Sequence, residues 1–520
     1  NNLPRPPLQT DDIGATALFL TGQVFWNQDR MYEASFAFDT AAETYASGKR
    51  AGDALWQAVR AYQVLAARER RPFYEKRARD RMRALATRYP SHPHAYDAQL
   101  NEGDLLEGAS QWPEAIALYR KITAGTPGYE ESQFRIGRCF YAQARAAAAA
   151  GKPDDATPLY KQAEEQLRSA ESELVASIEK TLDAQIRQQF NGFLFQVYHQ
   201  YVQLLLETKR TGEVQALTAK VEDRFAQDPA RIAAFWPFRI QALQADGKLD
   251  EAVSLFEEIL RKQKDAPGVA NAAGILARGL DQAGADELTR DPVSKLGDDY
   301  WTKAAHYYVL SIQPQLDDPS KLRVPELESV ALRLYAYGLH FNHVPDLAGT
   351  FVDWSEKPAK PEMWDKAAEI YAKLLELAPK YEFEVSLART LGFLQRWTDA
   401  ERRYASLFDT QNLVTPPDNK FNAAVVKAKG QLVWAYLEWA VCEHRLALED
   451  KQTDRFTRAQ TLIERVLANT QIGEKLWWQA KYHELRAMMD RGEYDKADVK
   501  LRDVKRSTSA TFDENKYGYQ

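Results

Sequence analysis

Residues 99–127 read QLNEGDLLEGASQWPEAIALYRKITAGTP. Gly103 is a small residue inside the first apolar pattern, which predicts a helix. Trp112 and Pro113 open a second helix, where proline is tolerated because a first-turn N–H has no intrahelical partner. Ala115, Tyr119 and Ile122 then recur at helical spacing, and Gly125, Thr126 and Pro127 predict the end of the run. The stretch reads as a helical hairpin.

The second-helix pattern is an Ala, a bulky residue four further on and an apolar or small one three beyond that. It recurs along the chain as Ala34-Phe38-Ala41, Ala78-Met82-Leu85, Ala156-Tyr160-Ala163, Val214-Thr218-Val221 and Ala252-Phe256-Ile259. It continues as Ala304-Tyr308-Ser311, Ala367-Tyr371-Leu374, Ala400-Tyr404-Leu407, Ala459-Ile463-Val466 and Ala497-Leu501-Val504. With the Ala115 stretch this makes about eleven units. Residues at i, i+4 and i+7 share one helix face, so the Ala allows close approach and the bulky residue fills the space beside it. First helices carry a complementary small residue at Gly22, Gly103, Gly137 and Gly338.

This order of small, aromatic, Ala, aromatic, apolar and Pro resembles the tetratricopeptide repeat, whose period is about 34 residues. The resemblance implies an all-α, right-handed superhelical solenoid of about eleven helix-turn-helix hairpins over residues 13–505. A Pro-rich segment 1–12 is expected to precede it and a loose tail 506–520 to follow. The spacing is irregular: Ala78 to Ala115 is 37 residues, whereas Ala304 to Ala367 is 63. The extra length predicts a lengthened helix at 145–152, a long charged helix at 167–188, and loops at 284–298, 313–325 and 345–361.

A chain of 520 residues exceeds the roughly 250–300 that one compact core usually reaches, so several domains or a solenoid are expected. The formal charge of −6 gives no global case for nucleic acid, and none is expected as a partner. No run approaches the roughly 20 apolar residues of a membrane helix. Cys139 and Cys442 alone make no disulfide framework and no structural zinc site. The opening NNLPRPPLQTDD, without Met, suggests an exported, periplasmic chain, with a cytoplasmic one as the alternative.

Chemistry is sparse. The Gly-Lys pairs at Gly48, Gly151 and Gly247 lack the rest of a phosphate loop. His340 and His343, with Asp346 nearby, offer a metal site for a hydrolase; the competing reading is a His at a helix carboxyl end. No catalytic residue, metal or cofactor is implied. Between Arg68 and Arg88 the chain carries Arg68, Arg70, Arg71, Lys76, Arg77, Arg79, Arg81, Arg83 and Arg88 against three acidic residues, a local net of +6. That segment could meet an acidic partner, or be balanced by neighbouring hairpins.

In the resembled family the first helices line a groove for partner proteins or peptides. Placing the four glycines at the family's small position puts Phe19, Trp26, Phe134, Arg138, Tyr141 and Tyr335 in that groove, and the same reading adds Trp439, Tyr482 and Arg486. The usual clamp for a carboxyl-terminal peptide needs Lys and Asn where this chain has Leu100, Asp104 and Glu107. An apolar or extended peptide is therefore expected instead. The resemblance implies a non-enzymatic scaffold, with a cell-envelope assembly as one expected setting; a carbohydrate or envelope-polymer scaffold is the second reading, and a metal-dependent hydrolase the third.

Overall fold

The computed structural model describes residues 10–508 except 127, 265, 267, 345–353, 355–356 and 416–419. It divides into two compact units, residues 1–246 and 247–520.

In the first unit helices pair as α1 (Thr10–Asn27) with α2 (Met31–Thr44), α3 (Ala51–Glu69) with α4 (Pro72–Arg88), and α5 (Ala95–Gly108) with α6 (Trp112–Tyr119). Then come α7 (Tyr129–Ala149) with α8 (Pro153–Lys180), α9 (Ala184–Glu207) with α10 (Thr211–Arg224), and the helices α11 (Pro229–Ala233) and α12 (Trp236–Ala245). The second unit opens with α13 (Leu249–Gln263), followed by α14 (Gly268–Arg290) with α15 (Lys295–Asp317) and α16 (Val324–Phe341) with α17 (Pro361–Leu377). The pair α18 (Tyr381–Phe393) and α19 (Trp397–Gln411) leads to a small ladder, β1 (Val414–Thr415) antiparallel to β2 (Lys420–Phe421). The unit ends with α20 (Ala423–Ala428), α21 (Gln431–Asp450) with α22 (Thr453–Ala468), and α23 (Lys475–Asp490) with α24 (Tyr494–Thr508). Within each unit the second helix of a hairpin packs on the first helix of the next, so each is an all-α helical-repeat stack.

The packing follows the repeated pattern. All eleven anchor residues, from Ala34 to Ala497, are buried, none above 8% exposed. The bulky partner four residues on is buried in nine units; Tyr160 is half-buried, and Leu501, in the last helix, is 41% exposed. The first-helix glycines explain how closely the hairpins pack. A Cβ at Gly22 would stand 2.5 Å from the Phe38 ring, and one at Gly338 2.5 Å from Trp364. One at Gly103 would overlap the Tyr119 ring of the same hairpin.

A second regularity was not read from the sequence. Six hairpins turn through a three-residue link whose middle residue is left-handed: Asp29, Ser110, Gly151, Lys209, Gln395 and Gly492, with φ between 57° and 75°. In each the next N–H donates back over the turn at 2.8–3.0 Å, as Arg30 to Phe25, Gln111 to Leu106 and Glu493 to Met488. This 6→1 bond satisfies a helix-end carbonyl that would otherwise lack a partner. Only two of the six are glycine, so composition concealed the motif.

Several expected boundaries move. Thr10–Asp12 begin α1 instead of ending an extended segment, and α24 runs to Thr508, three residues into the expected tail. The rest of both end segments lies outside the described residues, as does most of the 345–361 loop. The 284–298 loop is mainly helix, because Gly284 accommodates the Trp301 indole and Ser294 caps α15 by accepting from the Gly297 N–H. Likewise 313–325 is largely helical: α15 continues to Asp317, a 3-10 turn covers Pro319–Lys321, and Pro325 sits in the first turn of α16. The lengthened α7 was expected; the 167–188 helix is broken at 181–183, where Asp183 caps α9.

Candidate interaction surfaces

Several first helices touch the next first helix, α1 with α3 and α7 with α9 in the first unit, and α18 with α21 and α21 with α23 in the second. Four of the nine residues assigned to the first-helix face are core. Phe19, Phe134, Tyr141 and Tyr335 are only 4–6% exposed. Phe19 lies against Phe38, ring centroids 5.7 Å apart, with the Arg50 guanidinium over it. Phe134 and Tyr141 join a cluster with Leu167, Tyr198 and Tyr201 from α8 and α9. Tyr335 packs edge-on to Trp364 at 5.3 Å. These side chains are covered by the second helix of their own hairpin and, for Phe134, Tyr141 and Tyr335, by the next hairpin as well, and their place in an open groove is corrected accordingly.

Arg138 stays half-exposed but is engaged. Its Nε donates to Glu107 at 2.8 Å and a terminal nitrogen to Asp104 at 3.2 Å, while Arg135 pairs with Asp104 and Glu131. The Tyr119 hydroxyl donates to Glu107 at 2.7 Å. Thus α5 carboxylates and α7 arginines neutralise one another. Trp439 is half-buried and stacks on Phe408 at 5.5 Å; Arg486 holds Asp490 at 3.1 Å; Tyr482 is 37% exposed.

Trp26 remains half-exposed, and sequence reasoning missed what accompanies it. The Arg60 guanidinium of α3 stands 5.1 Å from the Trp26 ring. Beside it Trp56 stacks on His94 at 4.5 Å with planes 13° apart. Trp56, Arg60 and Trp26 place two partly covered indoles and an exposed cation on adjoining first helices. The i, i+4 pairing of Trp56 with Arg60 was the available signal.

The basic segment is partly balanced. Arg68 pairs with Asp29 at 2.6 Å, Arg81 with Asp39 at 2.7 Å and Glu43 at 2.8 Å, Arg88 with Glu43 at 3.2 Å, and Arg83 with Glu102. Arg71 has only a long contact to Glu69, 3.7 Å. Arg70, Lys76, Arg77 and Arg79 have no carboxylate partner among the described residues.

His340 is held by Asp298 at 2.7 Å and lies edge-on to Trp301. His343 occupies the left-handed turn position after α16, φ 56°, with Val344 donating back to Leu339. It is therefore the same turn residue as Asp29 or Lys209. Among the described residues no three His, Cys, Asp or Glu side chains group as metal ligands; Asp346 lies outside them. Both cysteines are buried free thiols.

The second unit buries charge. Glu438 on α21 receives Arg389 of α18 at 2.8 Å and the Tyr404 hydroxyl of α19 at 2.9 Å. Glu443, fully buried, meets Arg455 at 3.0 Å and Arg458 at 2.8 Å. His444 is 3% exposed, with Asp490 3.4 Å away and the Phe456 ring at 5.8 Å. Burial lowers its pKa to about 4; Asp490 opposes this, and Arg445, Arg486 and Arg491 add to it. The unfolded chain, with His near 6.5, then binds a proton between about pH 6.5 and 4 that the folded chain refuses, so this group's contribution falls as pH drops through that window. Denaturant titrations at pH 7 and pH 4 should show a loss larger in the wild type than in His444→Gln, by on the order of 2–3 kcal/mol. Equal losses would remove His444 as the cause.

No family model and no curated protein matches the chain. Among solved structures it is similar to the C-terminal part of a TPR repeat-containing protein from Cytophaga hutchinsonii. That match has 12% identity and a TM-score of 0.27, over 73% of this chain and 98% of the other. The likeness is weak and at the level of fold, and the hairpin order stands on the packing described above.

Proposed function

We propose that this protein is a non-enzymatic scaffold holding partner proteins or extended, apolar peptides on the first-helix face of its repeats. One observation carries the reading: the exposed Arg60 lies over the half-covered Trp26, and the half-covered Trp56 stands one turn before Arg60, on adjoining helices whose inner faces are already packed. An aromatic and arginine mixture of this kind is the composition of binding hot spots. Trp439 and Tyr482 extend the proposal to the second unit; Arg138 and the four buried aromatics are withdrawn from it.

The test uses the full chain and its double variant Trp26→Ala/Arg60→Ala against partners isolated from the native source. Partner affinity should fall at least about thirtyfold, matching the 2 kcal/mol or more of a hot spot. Trp26 is partly packed on the core, so a modest fall in Tm is expected too. Binding retained in full would move the partner face elsewhere; a collapse of helicity would make these residues core.

A further inference from the structure

The second helices of the first two hairpins carry another surface, distinct from the first-helix face. Tyr32 and Phe36 stand one turn apart on α2, 47% and 73% exposed, and Phe73 at the start of α4 is 57% exposed. Tyr32 and Phe73 are linked through Tyr74, whose ring lies 6.0 Å from Tyr32 and 5.3 Å from Phe73; Phe36 follows Tyr32 by one turn of the same helix face. The Arg77 guanidinium covers Phe73 at 5.4 Å. Further along the same two helices, Arg81 and Arg88 of α4 tie to Asp39 and Glu43 of α2. The seam is thus latched by ion pairs at one end and aromatic at the other.

Charge divides the same way. Arg81 and Arg88 at the latched end have carboxylates, whereas Arg70, Lys76 and Arg77 on the aromatic side, and Arg79 between the two ends, have none among the described residues; Arg71 has the long contact to Glu69. This is a local reversal in a chain of net charge −6. Exposed aromatics beside unpaired cations call for a ligand that supplies both apolar contact and negative charge. Glu69, Glu75 and Asp80 interrupt the cations, so no continuous track exists for a phosphate backbone.

We propose that this surface docks an acidic segment of a partner protein. Its carboxylates meet Arg70, Lys76 and Arg77, and an aromatic or branched aliphatic anchor sits among Tyr32, Phe36 and Phe73. The charges steer the encounter, and the anchor holds the complex.

The probe is an array of equal-length peptides bearing Phe in a background of Glu and Asp, of Gln, or of Lys, with poly(U) as competitor, read against the full chain. Glu/Asp–Phe peptides should bind at least about tenfold more tightly than the Gln set, and association should slow with added salt. Phe73→Ala and the pair Lys76→Glu/Arg77→Glu should each weaken binding at least about tenfold. Lys76 is exposed and neither side chain has a carboxylate partner among the described residues, so the reversal should leave the fold intact. Trp26→Ala/Arg60→Ala should leave this binding unchanged, which separates it from the first-helix face. Failure of every Glu/Asp–Phe peptide to bind, equal binding of the Gln set, preference for poly(U), or indifference to both variants would overturn the proposal.

Discussion

Arg389→Ala is expected to destabilise the second unit by about 3–5 kcal/mol, the range for removing one partner of a buried ion pair. Arg389 and Glu438 are 14% and 9% exposed at the side chain and meet at 2.8 Å. Glu438 would then lose the Arg389 cation and keep the Tyr404 hydroxyl, its carboxylate enclosed between α18, α19 and α21. The loss comes from the stranded charge more than from the attraction itself. Hence Arg389→Met with Glu438→Leu and Tyr404→Phe should recover much of it, since an apolar set of similar volume is often neutral or better and Tyr404→Phe avoids leaving that hydroxyl without its acceptor. Denaturant unfolding of the full chain, with amide exchange in α18 and α21 as the local readout, measures both variants. A single-variant loss under about 1 kcal/mol would mean that water reaches Glu438 and that the pair behaves as a surface contact.

The repeated hairpins were legible because their signal is local. Ala115, Tyr119 and Ile122 lie within two turns, and the same spacing returns at Ala34, Ala367 and Ala400 with every anchor buried. Helix ends were less legible: α6 stops at Tyr119, and Ile122 is buried from the turn that follows. The loop expected at 284–298 misread Gly284, which looks like a breaker in sequence but is a packing hollow for Trp301.

The candidate face was legible only in outline. Spacing tells which side of a helix a residue occupies, and it cannot tell what the next hairpin lays over that side. Phe134 and Tyr141 were assigned correctly to one helix and then covered by α8 and α9. Arg138 was taken as available, yet its carboxylates lie on α5, about thirty positions earlier. The pairs Arg81–Asp39 and Arg389–Glu438 are likewise more than forty residues apart, beyond any window that reads periodicity.

The measurement that tests the account most directly compares Ala115→Arg with Ala146→Arg, by amide exchange in α5, α6 and α7 and by denaturant unfolding. Ala115 has no exposure and packs among Leu100, Tyr119, Ile136 and Cys139, contributed by three successive helices. An arginine there has neither space nor a counter-charge, so a loss of about 3 kcal/mol or more is expected. Ala146 is exposed near the end of the lengthened α7, and arginine is nearly as good a helix former as alanine. Its replacement should change stability by less than about 0.5 kcal/mol. Equal and small losses at the two positions would contradict the repeat spacing on which the fold and both proposed surfaces depend.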